Sequence, residues 1–237
     1  MEKTIQIGQT TTHRYERKFT VFNQPKLAVF TGIKKHPAFF RTIYHPRQIT
    51  NIYLDTAKFQ FYKDNQIGIA DRKKVRIRWY GNVLGTVIQP KLEYKIKVGL
   101  TGYKKIYTLP NFEIGTGFSN EDLQILFDKA DLPITVRDEL KTLRPTLLNT
   151  YQRTYFQSLD KHFRLTFDEG LVYYQLRPTN NQFLAKARER YLQVLELKYA
   201  PEQEQKASQV ATLLRYRLDK KSKYVSGIDC FKGKLVK

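Results

Sequence analysis

Arg76 and Arg78 stand two apart in the stretch RKKVRIRWY, with Lys74 ahead of them and the apolar residues Val75, Ile77 and Trp79 between. Guanidinium groups donate parallel hydrogen bonds in a fork that suits phosphate oxygens, and lysine adds a compact point charge. Successive side chains leave a strand on opposite faces, so this stretch predicts a strand with one oily face and one ladder of cations. The alternation recurs further along. KLEYKIKV sets Lys91, Glu93, Lys95 and Lys97 opposite Leu92, Tyr94, Ile96 and Val98. YQRTY places Arg153 between Tyr151 and Tyr155, and HFRLTFD opposes His162, Arg164, Thr166 and Asp168 to Phe163, Leu165 and Phe167. LQVLELKY puts Glu196 and Lys198 opposite Leu195, Leu197 and Tyr199.

For any single strand, a charged face in water is the simpler reading. The set argues otherwise, because solvated faces ordinarily mix Thr, Ser and Gln with both signs of charge. Here Lys and Arg dominate, and glutamates are isolated at Glu93 and Glu196. Amphipathic helices elsewhere in the chain also need an oily surface to cover. A lumen of unpaired cations is costly unless an anion fills it. The expectation is therefore that the charges face inward and bind a polyanion.

The net charge of +20 points to the same class of partner: nucleic acid, anionic membrane or phosphorylated metabolite. No RNA-binding signature accompanies it, so no specific nucleic acid is expected. Cys230 is the only cysteine, which rules out an intrachain disulfide and fits a reducing cytoplasm. The amino-terminal residues lack the apolar core of a signal peptide. No apolar run approaches the roughly 18 residues that span a bilayer. A soluble cytoplasmic protein is expected, whose basic surface could rest against a membrane or a membrane-protein partner.

The elements that must position these residues are mostly strands, as the many Val, Ile, Tyr and Phe suggest. Strands are predicted at 14–22, 49–54, 72–80, 87–98, 103–109, 146–156, 163–167, 171–176 and 191–199. Short helices are predicted at 25–35, after a capping box formed by Ser119 and Asp122, and after Pro201, the last with Val210, Leu213, Leu214 and Leu218 on its apolar face. A turn is expected at Gly99–Gly102. No repeat or linker divides the chain. Residues 1–13 read as a flexible segment and 14–237 as one domain. The fold class is α+β but mainly β: an antiparallel sheet closed as a barrel, with helices outside.

Seven stretches stand out: YERKF at 15–19, RIRWYG at 76–81, LEYK at 92–95, YQR at 151–153, FRL at 163–165, LELK at 195–198 and SKY at 222–224, extended to SKYVSGI. Together they resemble the VTC domain, the polyphosphate polymerase branch of the triphosphate tunnel metalloenzymes, or CYTH-like superfamily. They run in order from about residue 14 to 229. The resemblance implies an eight-stranded antiparallel tunnel, open at both ends, that takes ATP and inorganic polyphosphate or triphosphate with Mn²⁺ or Mg²⁺. It implies that Arg76, Arg78, Lys95, Arg153, Arg164 and Glu196 carry catalysis. Lys18, Lys97, Tyr151, Lys198, Ser222 and Lys223 would hold substrate, and Glu196 with Glu16 would hold metal. Hydrolytic members of the superfamily begin with Glu-x-Glu-x-Lys. Here Arg14 stands at the first of those positions, leaving Glu16 and Lys18.

That departure, and a lining rich in cations but poor in carboxylates, favours transfer to a phosphate acceptor over transfer to water. The acceptor is then already an anion and needs no strong base. A triphosphatase using Glu16, Glu93 and Glu196 is the alternative reading, and a non-catalytic polyphosphate or inositol-phosphate sensor is another. Plainer roles stand beside the functional ones. Glu196 and Lys198 could be neighbouring surface charges, Glu16 a salt-bridge partner of Arg17 or of a lumen lysine, and Tyr151 a packed aromatic. His13 and His162 read as structural, and Cys230 as passive.

Overall fold

The computed structural model describes residues 14–99 and 101–232. The expectations for residues 1–13, His13 included, and for Leu100 in the turn lie outside the described residues. The first half of the chain forms β1 (Tyr15–Phe22), α1 (Lys26–Lys34), β2 (Arg41–Asp55), α2 (Gln60–Ile67), β3 (Arg72–Tyr80), β4 (Gly85–Val87), β5 (Lys91–Val98), β6 (Thr101–Thr108) and β7 (Phe112–Ile114). The second half forms α3 (Asn120–Asp128), α4 (Ile134–Lys141), β8 (Arg144–Gln157), β9 (Arg164–Gln175), β10 (Lys186–Arg188), β11 (Leu192–Tyr199), α5 (Glu204–Leu213), β12 (Arg217–Asp219) and α6 (Lys223–Asp229). One antiparallel sheet runs in the order β12-β1-β11-β9-β8-β2-β3-β5-β6, with β10 added to β9, while β4 and β7 pair separately. Among the described residues no helix is long and apolar enough to cross a membrane.

The oily faces lie under the helices. Val75, Ile77, Trp79, Leu92 and Tyr94 share a core with Leu123, Leu126 and Phe127 of α3 and Val136 and Leu140 of α4. Phe19, Leu165, Phe167, Leu195 and Leu197 pack with Val29 and Ile33 of α1 and Ala207 and Val210 of α5. Burying one such side chain contributes about 1.5–3 kcal/mol. The helices therefore cover the apolar face and leave the cationic face concave. The predicted capping box is present at the start of α3, where the Ser119 and Asp122 side chains each accept from the other's backbone N–H.

The expected eight-stranded closed barrel is corrected: the sheet has ten strands, and among the described residues no ladder joins β6 to its far end. One edge of β1 pairs with β11, and the other is taken by β12 at Lys18–Thr20, so β6 finds no free edge there. The sheet still curls strongly. Five strands separate β1, which carries Glu16, from β5, which carries Lys95, yet Lys95 Nζ is 3.5 Å from Glu16 Oε2. Register shifts in β2 opposite β8, and in β9 opposite β8, mark bulges, which bend the strands that carry them.

Other boundaries move for local reasons. The predicted strand 87–98 is split: Val87 belongs to β4, and Pro90, which has no N–H to donate, precedes β5. The two strands predicted at 163–167 and 171–176 are the single bulged strand β9. Helix α5 ends before Arg215, whose φ of 56° is left-handed. Leu218, expected on the apolar face of that helix, lies instead in β12 and is exposed.

Helices α2, α4 and α6 were not foreseen, and α6 is not peripheral. Its Tyr224 and Ile228, with Phe231 beyond, pack on Ile49, Tyr53, Leu147, Tyr151 and Tyr173 of the concave face. Gly227 permits that approach, since a Cβ there would stand 2.4 Å from Leu147 and 2.7 Å from Tyr173. Tyr224 stacks on Tyr53 at 4.9 Å, and its hydroxyl donates to the buried carboxylate of Asp55 at 2.5 Å.

Candidate functional site

Strand register places Glu16 and Lys18 of β1 opposite Lys198 and Glu196 of β11, and Lys198 and Glu196 opposite Arg164 and Thr166 of β9. Asp168 faces Arg153 of β8. On the other flank Lys74, Arg76 and Arg78 of β3 face Lys95, Glu93 and Lys91 of β5, and Lys95 faces Lys104 of β6. Period-two alternation puts all of these opposite the apolar residues that meet the helices. Ser222 and Lys223 join them from the start of α6.

Glu93 organises one group. Its carboxylate accepts from Arg76 Nε at 2.7 Å and lies 2.5 Å from Lys104 Nζ and 3.6 Å from Arg78 Nη1. Burial pushes its acidity down, but Arg76, Arg78 and Lys104 outweigh that and hold it well below the usual carboxylate range. Arg78 is steadied further by donating from Nε to Asn51 Oδ1 at 3.0 Å. Three cations are thus fixed by one anion.

Asp168 organises the second group. It is fully buried and accepts two bonds from Arg153, Nε to Oδ1 at 2.5 Å and Nη2 to Oδ2 at 2.6 Å, while Lys223 Nζ lies 2.6 Å from Oδ2. The ring of Tyr151 lies beneath both cations, 4.8 Å from Lys223 Nζ and 5.4 Å from the Arg153 guanidinium carbon. Such placement adds cation–π attraction.

The third group holds Glu16 and Glu196. Lys18 Nζ lies 2.8 Å from Glu16, and Lys198 Nζ lies 2.5 Å from Glu196. Burial and the charge of Glu196 raise the pKa of Glu16, yet Lys18, Lys95 and Lys198 bring it below its ordinary value. Glu196 is held lower still: burial opposes ionisation, but Lys198, Lys18, Arg153 and Lys223 prevail.

The sequence model of the VTC domain matches residues 13–232. The chain belongs to the VTC domain family. No curated protein matches it. Among solved structures it is similar to a protein from Pyrococcus horikoshii, at 13% identity and a TM-score of 0.49, over 91% of this chain and 99% of that one. It is also similar to a candidate adenylyl cyclase from Hippeastrum with a dominant triphosphatase activity, at 13% identity and a TM-score of 0.48, over 91% and 96% of the two chains.

In this VTC domain the concave face brings together Lys18, Arg76, Arg78, Lys95, Tyr151, Arg153, Glu196, Lys198, Ser222 and Lys223. Lys97 lies on the same face of β5, opposite Gly102 and Arg72 at the hairpin end. Arg164 is exposed at the end of β9 and makes no ion pair among the described residues. Arg17 points outward to Tyr199 and Glu204, so Glu16 pairs with lumen lysines and not with Arg17. Tyr151 is both packed and lumen-facing, with a hydroxyl free of partners among the described residues.

Asp168, Lys104 and Lys74 are additions to the predicted site. The alternation of their strands marked the faces of Asp168 and Lys74, but only the curl of the sheet reveals their partners. Lys74 Nζ donates to Ser222 Oγ at 2.8 Å. Burial, with Lys18, Lys95, Arg72 and Arg76 around it, pushes its pKa down to about 7. A bound polyanion favours the charged form and raises that pKa toward the ordinary lysine value of about 10.4. Binding above pH 7 must then take up a proton, so affinity for tripolyphosphate is expected to fall by up to about tenfold per pH unit between 7 and 9. Below pH 7 this contribution vanishes. Calorimetry in buffers of differing ionisation enthalpy measures the uptake directly, and Lys74→Met should remove it. Equal proton uptake in both proteins would assign the titration to another group.

Proposed function

We propose that this VTC domain is a phosphotransferase that moves the terminal phosphate of ATP onto a growing polyphosphate chain. One observation carries the reading: cations from β1, β3, β5, β6, β8, β11 and α6 converge on one concave face, where they outnumber its carboxylates. Such an excess is tolerable only with an anionic occupant.

The chain's own groups suit that occupant. Glu93 and Asp168 hold Arg76, Arg78 and Arg153 in fixed poses, so their remaining N–H groups can receive phosphate oxygens without the entropy of ordering a loose side chain. Ser222 Oγ already accepts from Lys74 and from the Val225 backbone N–H, which leaves its hydroxyl proton to donate. The unpartnered Tyr151 hydroxyl can do the same. Among the described residues no three His, Cys, Asp or Glu side chains come together as a metal cluster. A pair of carboxylates, Glu16 and Glu196, fits a Mn²⁺ or Mg²⁺ ion that completes its shell with substrate phosphates and water. When bound, that ion would neutralise charge on the transferring phosphoryl group. The acceptor phosphate is itself a nucleophilic anion, so the residues need only align it.

Incubating the purified protein with ATP and Mn²⁺ and resolving the products on a gel tests the proposal. Long polyphosphate is the expected result. Free phosphate alone would make it a triphosphatase, and binding without turnover a sensor. Affinity for polyphosphate should also fall steeply with salt, because each neutralised phosphate releases counterions. Arg76→Ala or Arg78→Ala should cost about 1.5–3 kcal/mol of that affinity, the worth of a charge-assisted hydrogen bond. Salt-independent binding, or no loss in either variant, would count against a phosphate grip.

A further inference from the structure

Arg47 of β2 stands among three tyrosine rings. Its guanidinium carbon lies 4.8 Å from the ring centre of Tyr44, 5.4 Å from that of Tyr80 and 5.7 Å from that of Tyr155. Tyr44 and Tyr155 meet edge to face at 5.7 Å. Arg47 has no carboxylate partner among the described residues. Tyr44 and Tyr80 remain 49% and 56% exposed. Two large exposed rings beside an uncompensated guanidinium form an electron-rich and cationic surface that the fold itself leaves uncovered.

Its position gives that surface a purpose. Tyr80 follows Arg78 by two residues on the same face of β3, and Tyr155 follows Arg153 by two on β8. At about 3.3 Å per residue each tyrosine lies roughly 7 Å beyond an arginine of the phosphate grip. Arg47 is directly opposite Arg153, Tyr155 is opposite Thr166, and Thr166 is opposite Glu196. A triphosphate lying on Arg78 and Arg153 would therefore extend its ribose and base over this cluster.

We propose that Tyr44, Tyr80 and Arg47 form the platform on which the base of the donor nucleotide stacks. The inference rests on the reading that the channel takes a nucleoside triphosphate. Stacking tolerates any base, because every base offers a π-face, and none of the three side chains of the platform is an amide. ATP and GTP should then bind alike.

Calorimetry on the whole protein with ATP, GTP and inorganic tripolyphosphate tests this. The Tyr44→Ala/Tyr80→Ala double variant should bind both nucleotides roughly ten- to a hundredfold more weakly, the range that base–aromatic stacking carries. Its affinity for tripolyphosphate should match the wild type, and Tyr44→Phe/Tyr80→Phe should restore nucleotide binding. Equal loss for nucleotide and tripolyphosphate would make the tyrosines structural and overturn the platform. Nucleotide affinity unchanged in the alanine variant would overturn it as well, while leaving the phosphate grip standing. Wild-type protein that binds neither ATP nor tripolyphosphate would remove the reading of the channel and the platform with it.

Discussion

Glu196→Gln is expected to abolish phosphoryl transfer while leaving triphosphate bound. The side chain is 8% exposed, paired with Lys198 at 2.5 Å, and lies within the field of Lys18, Arg153 and Lys223. Glutamine preserves its shape, and the amide oxygen can still accept from Lys198. What disappears is the negative charge that a divalent ion requires. Transfer from ATP should fall by at least about a hundredfold, the order lost when one group stabilising transition-state charge is removed. Excess Mn²⁺ should restore only part of it. Tripolyphosphate should bind as tightly as to the wild type or tighter, because the same cations face it with one fewer competing anion. A wild-type rate would remove Glu196 from the mechanism. Parallel loss of rate and binding would make it a residue that positions the lysines.

The contrast between Glu196 and Asp168 shows what the sequence could and could not reveal. Alternation in LELKY is enough to put Glu196 beside Lys198 on one strand face. The charges in RKKVRIRWY and KLEYKIKV likewise declare which sides of β3 and β5 are polar, since Ile77 and Leu92 have nowhere to go but under helices. Period-two patterning is a local property, and every face it assigned on these strands agrees with the structure. Partners across the concave face depend on curvature, which is set by twist and by bulges in β2 and β9; Pro46 and Gly170 sit at two of these, but neither says how far the sheet bends. Hence the meeting of Lys95 with Glu16, and of Lys74 with Ser222, could not be read from spacing.

Closure failed for a related reason. Whether a sheet becomes a barrel depends on which edge strands remain unpaired, and the short β12, RLD, carries too few residues to show a period. Helix α6 was missed because its seven residues, KYVSGID, show no stripe. Tyr224 and Gly227 make sense only against the surfaces of Tyr53, Leu147 and Tyr173. The tyrosines around Arg47 were visible as residues, but their convergence spans β2, β3 and β8.

Asp168→Ala is expected to destabilise the free protein strongly and to make its stability depend on phosphate. Asp168 has no exposed surface, and it alone accepts both hydrogen bonds from Arg153 and the ion pair from Lys223. Removing one partner of a buried pair leaves uncompensated charge, at a cost of about 3–5 kcal/mol. For a chain of this size that should lower the melting temperature by about 10 °C. Burial raises the Asp168 pKa, but Arg153 and Lys223 hold it below the ordinary value. Its contribution is therefore fully present above the unfolded-state pKa of about 3.9 and is lost as pH falls through the lower folded value. The gap between wild type and variant should be widest near neutrality and close in acid. Tripolyphosphate can supply the missing negative charge to Arg153 and Lys223, so it should raise the melting temperature of the variant more than that of the wild type. An equal rise in both would mean that phosphate does not reach these two cations. An unchanged melting temperature in the free variant would mean that water already compensates them, and that Asp168 is not what holds Arg153 in place.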